Sequence, residues 1–98
     1  MPDSQFSVAT GATGSVVTPT GELDLAVKDA LREVLQSLTG VVTVDLADVT
    51  FLDSSAIGVF VGAHKRLIAS GGALRLRNPQ DMPRTALEVV GLGDWIDS

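Results

Sequence analysis

Cysteine is absent from the 98 residues, which excludes a disulfide scaffold and any thiolate metal site. It also agrees with a reducing compartment. Histidine occurs once, as His64, too few nitrogen ligands for a zinc centre. Basic residues are scarce: seven Lys and Arg stand against twelve Asp and Glu, for a net charge of −5. A nucleic-acid or anionic-membrane partner needs clustered Lys and Arg. Here Arg75, Arg77 and Arg84 are scattered and read as solvated surface, so neither a direct nucleic-acid partner nor a membrane is expected. No apolar run approaches the ~20 residues that cross a bilayer. The N-terminus, Met1-Pro2-Asp3-Ser4-Gln5, carries an acid, no basic cluster and no following apolar run, unlike a secretory signal. The expectation is a soluble cytoplasmic protein. A Gly-rich phosphate loop is missing as well, since Gly11/Gly14 and Gly71/Gly72 read as turns, and no cofactor is expected.

What is present is enough for one domain, spanning 1–98, and a chain this size buries roughly two-thirds of its unfolded surface. Gln5 to Thr10 and Ser15 to Thr18 read as two strands around a Gly-rich turn, an antiparallel hairpin. Val27, Ala30, Leu31, Val34, Leu35 and Leu38 recur at three- and four-residue steps, an amphipathic helix that Gly40 stops. Val41 to Leu46 is β-branched and nearly all apolar, the pattern of a strand covered on both faces. Ala47 to Asp53 reads as a linker. A second helix runs from Ser55 to about Ala69, apolar nearly all round in its first turns. Gly71-Gly72 ends it, and Ala73 to Arg77 makes another strand. Asp81 is placed to cap a third helix with Pro83 in its first turn. Ala86, Leu87, Val89 and Val90 supply its buried face, and Gly91-Leu92 suits a Schellman ending. Trp95-Ile96 begins a last short strand. The order β-β-α-β-α-β-α-β predicts an α/β fold, a mixed and mostly parallel sheet with an N-terminal hairpin, its crossovers right-handed.

Asp53-Ser54-Ser55 falls where a strand edge meets a helix start, the usual functional edge of an open α/β sheet. Ser and Asp are both preferred N-caps, so a capping serine is the ordinary reading. Two adjacent serines exceed what one cap needs. The apolar first turn of the helix would also make a contact surface if part of it faces solvent. A Ser-His-Asp hydrolase would need His64 beside Ser54, yet ten residues of one helix separate them by ~15 Å. Gly-x-Ser-x-Gly is absent too. Asp45, Asp48 and Asp53 could gather around Mg²⁺, but such residues more often cap turns.

The run from Val44 to Val59, Val-Asp-Leu-Ala-Asp-Val-Thr-Phe-Leu-Asp-Ser-Ser-Ala-Ile-Gly-Val, resembles the signature of STAS domains, specifically the anti-sigma factor antagonists of bacteria. Gly21-Glu22-Leu23-Asp24 is similar to that family's motif before the first helix, and Leu87 to Ile96 to its closing segment. The resemblance spans about residues 15 to 96. It implies a STAS-like fold and a non-enzymatic regulator of sigma-factor-dependent transcription. Ser54 would be the phospho-acceptor. Asp24, Asp53, Ser55, Ile57, Gly58 and Val61 would lie on or near the docking surface. The implied partners are an anti-sigma factor serine kinase, bound until Ser54 is phosphorylated, and a serine phosphatase that restores binding. Ala56 departs from the Gly of many members. Members also usually continue into a further helix where this chain reaches Ser98; either that helix is missing or the chain was shortened, and a missing helix would expose apolar surface for a partner or a second copy to cover. The competing reading is a constitutive STAS scaffold or adaptor in a signalling assembly or transporter complex.

Overall fold

The computed structural model describes residues 5–97; the readings of residues 1–4 and of Ser98 fall outside them. Strands β1 (Phe6–Gly11) and β2 (Gly14–Pro19) form the expected antiparallel hairpin, with Gly11 opposite Gly14. Strands β4 (Val41–Asp45) and β6 (Ala73–Arg77) run parallel to β2, and β7 (Ile96–Asp97) closes the far edge. The sheet order is β1-β2-β4-β6-β7. Helices α1 (Lys28–Gln36), α2 (Ser54–Ala69) and α3 (Asp81–Val89) complete the α/β domain.

Two short strands were not expected. β3 (Gly21–Leu23) and β5 (Val49–Leu52) pair in parallel as a separate small sheet, so the stretch read as a linker is partly strand. Each is only a few residues long and exposes a polar or aromatic side chain, Glu22 on one and Thr50 and Phe51 on the other. Such segments carry too little alternation to stand out.

The core lies on one side of the main sheet. Val17, Val42, Val44 and Leu76 are fully closed off from solvent, while their alternates Val16, Thr43, Arg75 and Arg77 are half-buried or exposed. The strand β4 is therefore covered on one face, not both. Helix α1 buries Leu31 and Leu35. α2 contributes Ala56, Ile57, Val59, Phe60, Ala63 and Leu67. Each large apolar side chain buried this way contributes about 1.5–3 kcal/mol. α1 is shorter than its apolar stripe: Leu25–Val27 form a 3-10 turn before it, and the helix ends at Gln36. On α3 the buried residues are Pro83 and Leu87. Val89 and Val90 are exposed by 79% and 52%, against expectation, because the helix ends there.

The α3 ending is the Schellman arrangement: the Leu92 N–H reaches the Leu87 carbonyl at 2.9 Å and the Gly91 N–H reaches Glu88 at 3.1 Å, with Gly91 at φ +85. Gly72 serves a close approach instead. A Cβ there would run into the Gly40 carbonyl, whose oxygen accepts the Ala73 N–H at 3.2 Å.

Candidate functional site

The small sheet exists to bring two strand ends together. Leu23 pairs with Leu52, both inside the core, and the Asp53 N–H donates to the Leu23 carbonyl at 3.2 Å. Asp24 and Asp53 therefore leave adjacent parallel strands, and each caps the turn that follows. The Asp24 carboxylate accepts from the Ala26 N–H at 3.0 Å. The Asp53 carboxylate accepts from the N–H groups of Ser55 at 2.9 Å and Ala56 at 3.2 Å. These bonds satisfy donors that a helix start otherwise leaves unpaired.

With Asp53 in the capping position, Ser54 becomes the first residue of α2 and Ser55 the second. Ser54 is exposed and Ser55 half-buried. Among the described residues, neither hydroxyl has a hydrogen-bond partner. The serine pair is thus released from capping, and Ser54 presents a free hydroxyl at a helix N-terminus, where the backbone dipole favours added negative charge.

A family model for the STAS domain matches residues 6–98. The chain belongs to that family. Over 80 residues it is 36% identical to the anti-sigma-B factor antagonist of Bacillus subtilis, covering 79% of this chain and 73% of that one. The anti-sigma-B factor antagonist of Listeria monocytogenes is 40% identical over 82 residues, at 79% and 71% coverage. Among solved structures, the anti-sigma factor antagonist SpoIIAA in its unphosphorylated form superposes with a TM-score of 0.84, at 24% identity and over 94% of this chain and 85% of that one. The Bacillus SpoIIAA in its phosphorylated form superposes at 0.75, with 26% identity, over 94% and 88%. These relatives carry the names of regulators, not of enzymes.

In this STAS domain the residues singled out from sequence sort by exposure. Asp24, Asp53 and Ser54 share one edge through the β3–β5 pairing. Gly58 follows Ser54 by one helical turn on α2 and is exposed; Val61 lies one turn further and is half-buried. Ile57 differs: it is only 9% exposed and belongs to the core cluster beneath this edge.

Gly62 was missed. With Gly58 it lines a groove between α2 and the α1 residues Arg32, Leu35 and Gln36. A Cβ at either glycine would meet nothing within 4 Å. Interior helical glycines cost roughly 0.5–1 kcal/mol relative to alanine, and neither one answers an internal packing need. Their four-residue spacing inside the apolar helix was the available signal. Arg66 closes the far end of the groove, its guanidinium donating to the carbonyls of Leu35 at 2.8 Å and Leu38 at 2.9 Å.

The remaining candidates have structural occupations. The Nδ1 of His64 accepts the Leu74 N–H at 3.2 Å, and its ring lies 4.1 Å from that of Trp95. Asp45 accepts from the Ala47 N–H at 3.0 Å and the Arg77 guanidinium at 3.0 Å. Asp48 is exposed, and Asp53 is committed to its cap. Among the described residues no group of acids and histidines is placed to hold a metal ion, and no helix is long and apolar enough to cross a membrane.

Proposed function

We propose that this STAS domain is an anti-sigma factor antagonist that binds an anti-sigma factor serine kinase while Ser54 is unmodified. Phosphorylation of Ser54 releases it, and a serine phosphatase returns it to the binding form, all within the cytoplasm. The observation that carries the reading is the free, exposed Ser54 hydroxyl at the start of α2, beside an edge built from Asp24 and Asp53 and continued by Gly58 and Val61. Curated relatives bearing the antagonist name, and a relative solved in a phosphorylated form, support it.

A phosphate on Ser54 adds up to about two negative charges and three acceptor oxygens. Within the free domain the helix dipole accommodates the charge by ~0.3–1 kcal/mol. At a docked surface, a like charge held within ~4 Å costs up to about 4 kcal/mol at an effective dielectric of 20. Each ~1.4 kcal/mol is tenfold in affinity. The bulk of the added group acts in the same direction, so docking fails while the fold stands.

The test is capture from the native cytoplasm on three baits: wild type, Ser54→Ala and Ser54→Glu. Wild type and Ser54→Ala are expected to retain an ATP-binding anti-sigma kinase. Ser54→Glu should lose it by at least tenfold, with the phosphate on the wild-type bait mapping to Ser54. If all three baits retain the same proteins and Ser54 is never modified, the constitutive scaffold is the better account.

A further inference from the structure

The two edges of the main sheet are finished differently. At the β7 edge the strand is two residues long, and Asp97 is held by the Arg75 guanidinium at 3.2 Å. Shortness and charge are the ordinary means of keeping an edge from pairing. β1, at the other edge, has none of them. It runs six residues as Phe-Ser-Val-Ala-Thr-Gly, without charge or proline, and its pairing with β2 is continuous, with no bulge. Every residue from Ser7 to Gly11 is exposed.

The Thr20 N–H donates to the Gln5 carbonyl at 2.9 Å, which fixes the phase of the antiparallel ladder. The backbone groups of Ser7, Ala9 and Gly11 then face β2, and those of Phe6, Val8 and Thr10 point away from the sheet. The side chains of the same three residues lie on the helix-bearing face, since Val8 is opposite the buried Val17. Yet Val8 is 43% exposed, because among the described residues no further strand covers it.

Charge identifies the occupant. Seven basic and twelve acidic residues are distributed along the chain, but none falls between Asp3 and Glu22. Two copies of a molecule of net charge −5 repel each other, and least where charge is absent. The hairpin is that place. An antiparallel pair of β1 strands is also self-complementary about a twofold axis at Val8. Val8 then lies opposite the partner's Val8, and Phe6 opposite the partner's Thr10, with every outward N–H and carbonyl of these residues exchanged.

We infer that β1 is a homodimer interface, two copies joining edge to edge into one continuous sheet. Neither Ser54 nor α2 takes part, so the result is independent of the phosphorylation reading. Val8→Pro removes an outward N–H and leaves the bonds to β2 intact, as edge strands tolerate. Val8→Lys sets two like charges against each other at the axis. In sedimentation velocity, the wild type should pass from monomer to dimer as concentration rises. Both variants should stay monomeric over the same range, with unchanged circular dichroism. In the wild type, amide exchange at Phe6, Val8 and Thr10 should slow with concentration, while Ser7 and Ala9 do not change. A wild type that stays monomeric throughout overturns the proposal. So do variants that still dimerise, and so does protection at these amides that arises only when another protein is added.

Discussion

Asp45 shows how much of this structure is settled by single carboxylates. Burial pushes its pKa up, but the Ala47 N–H, the Arg77 guanidinium and the Asn78 amide together outweigh that and hold it below the ordinary carboxylate value. A group whose folded pKa is depressed stabilises the native state above its unfolded pKa of about 3.9, and that contribution is lost as pH falls through the lower folded value. Asp45→Asn is therefore expected to lower stability at neutral pH, and the gap to wild type should close progressively below about pH 4. Urea denaturation of both proteins across that range checks it; a gap independent of pH would mean that the carboxylate charge is not what Arg77 and Asn78 hold in place. Asp53 is the instructive contrast. Its place beside the serine pair was legible from the motif, but which of the three neighbours caps the helix was not. Asp53, Ser54 and Ser55 are all competent N-caps, and only the carbonyl of Leu23, which holds the Asp53 N–H, decides among them. That contact comes from a strand thirty residues away in the chain, which no local pattern records.

Among the elements, α1 was readable from its apolar stripe, and α2, β4 and β6 from compact apolar runs bounded by glycines or turn residues, although the run in β4 hid that only one of its faces is covered. β3 and β5 were not readable, since their pairing is long-range and their apolar content is split between two short segments. α2 also illustrates a conflict between local and global preference. Gly58 and Gly62 weaken it as a helix, and open space surrounds both. Natural sequences depart from local consistency chiefly where function requires it. Replacing either glycine by alanine should stabilise the domain by about 0.5–1 kcal/mol, a rise in Tm of roughly 2–8 °C for a chain of this size. On the proposed reading, the same substitution should weaken capture of the anti-sigma kinase, because the added methyl enters the groove between α2 and α1. Thermal unfolding and a binding titration on each variant separate the two effects. A variant that is stabilised but binds as wild type would remove the groove from the docking surface.

At the scale of the whole molecule, the described residues around a phosphate on Ser54 are closely packed. Beneath the serine, Leu23, Leu52, Ala56 and Phe60 are essentially closed off from solvent, and close-packed interiors do not deform by degrees. A switch that refolds the domain needs an element with two arrangements of similar free energy. The edge at Ser54 is instead fixed by two caps and the Leu23–Asp53 bond. The added charge falls where the α2 dipole favours it by ~0.3–1 kcal/mol, and nearby Asp24 and Asp53 offset part of that. Phosphorylation of the isolated domain is thus expected to move Tm by only a few degrees, in line with roughly 4–8 °C per kcal/mol. Backbone amide shifts should change at Leu23 to Ala26 and over the first turns of α2, and stay fixed in β2, β4 and β6. Shifts spreading through those three strands would show that the phosphate acts by reorganising the core, and that loss of the partner follows from refolding and not from a blocked surface.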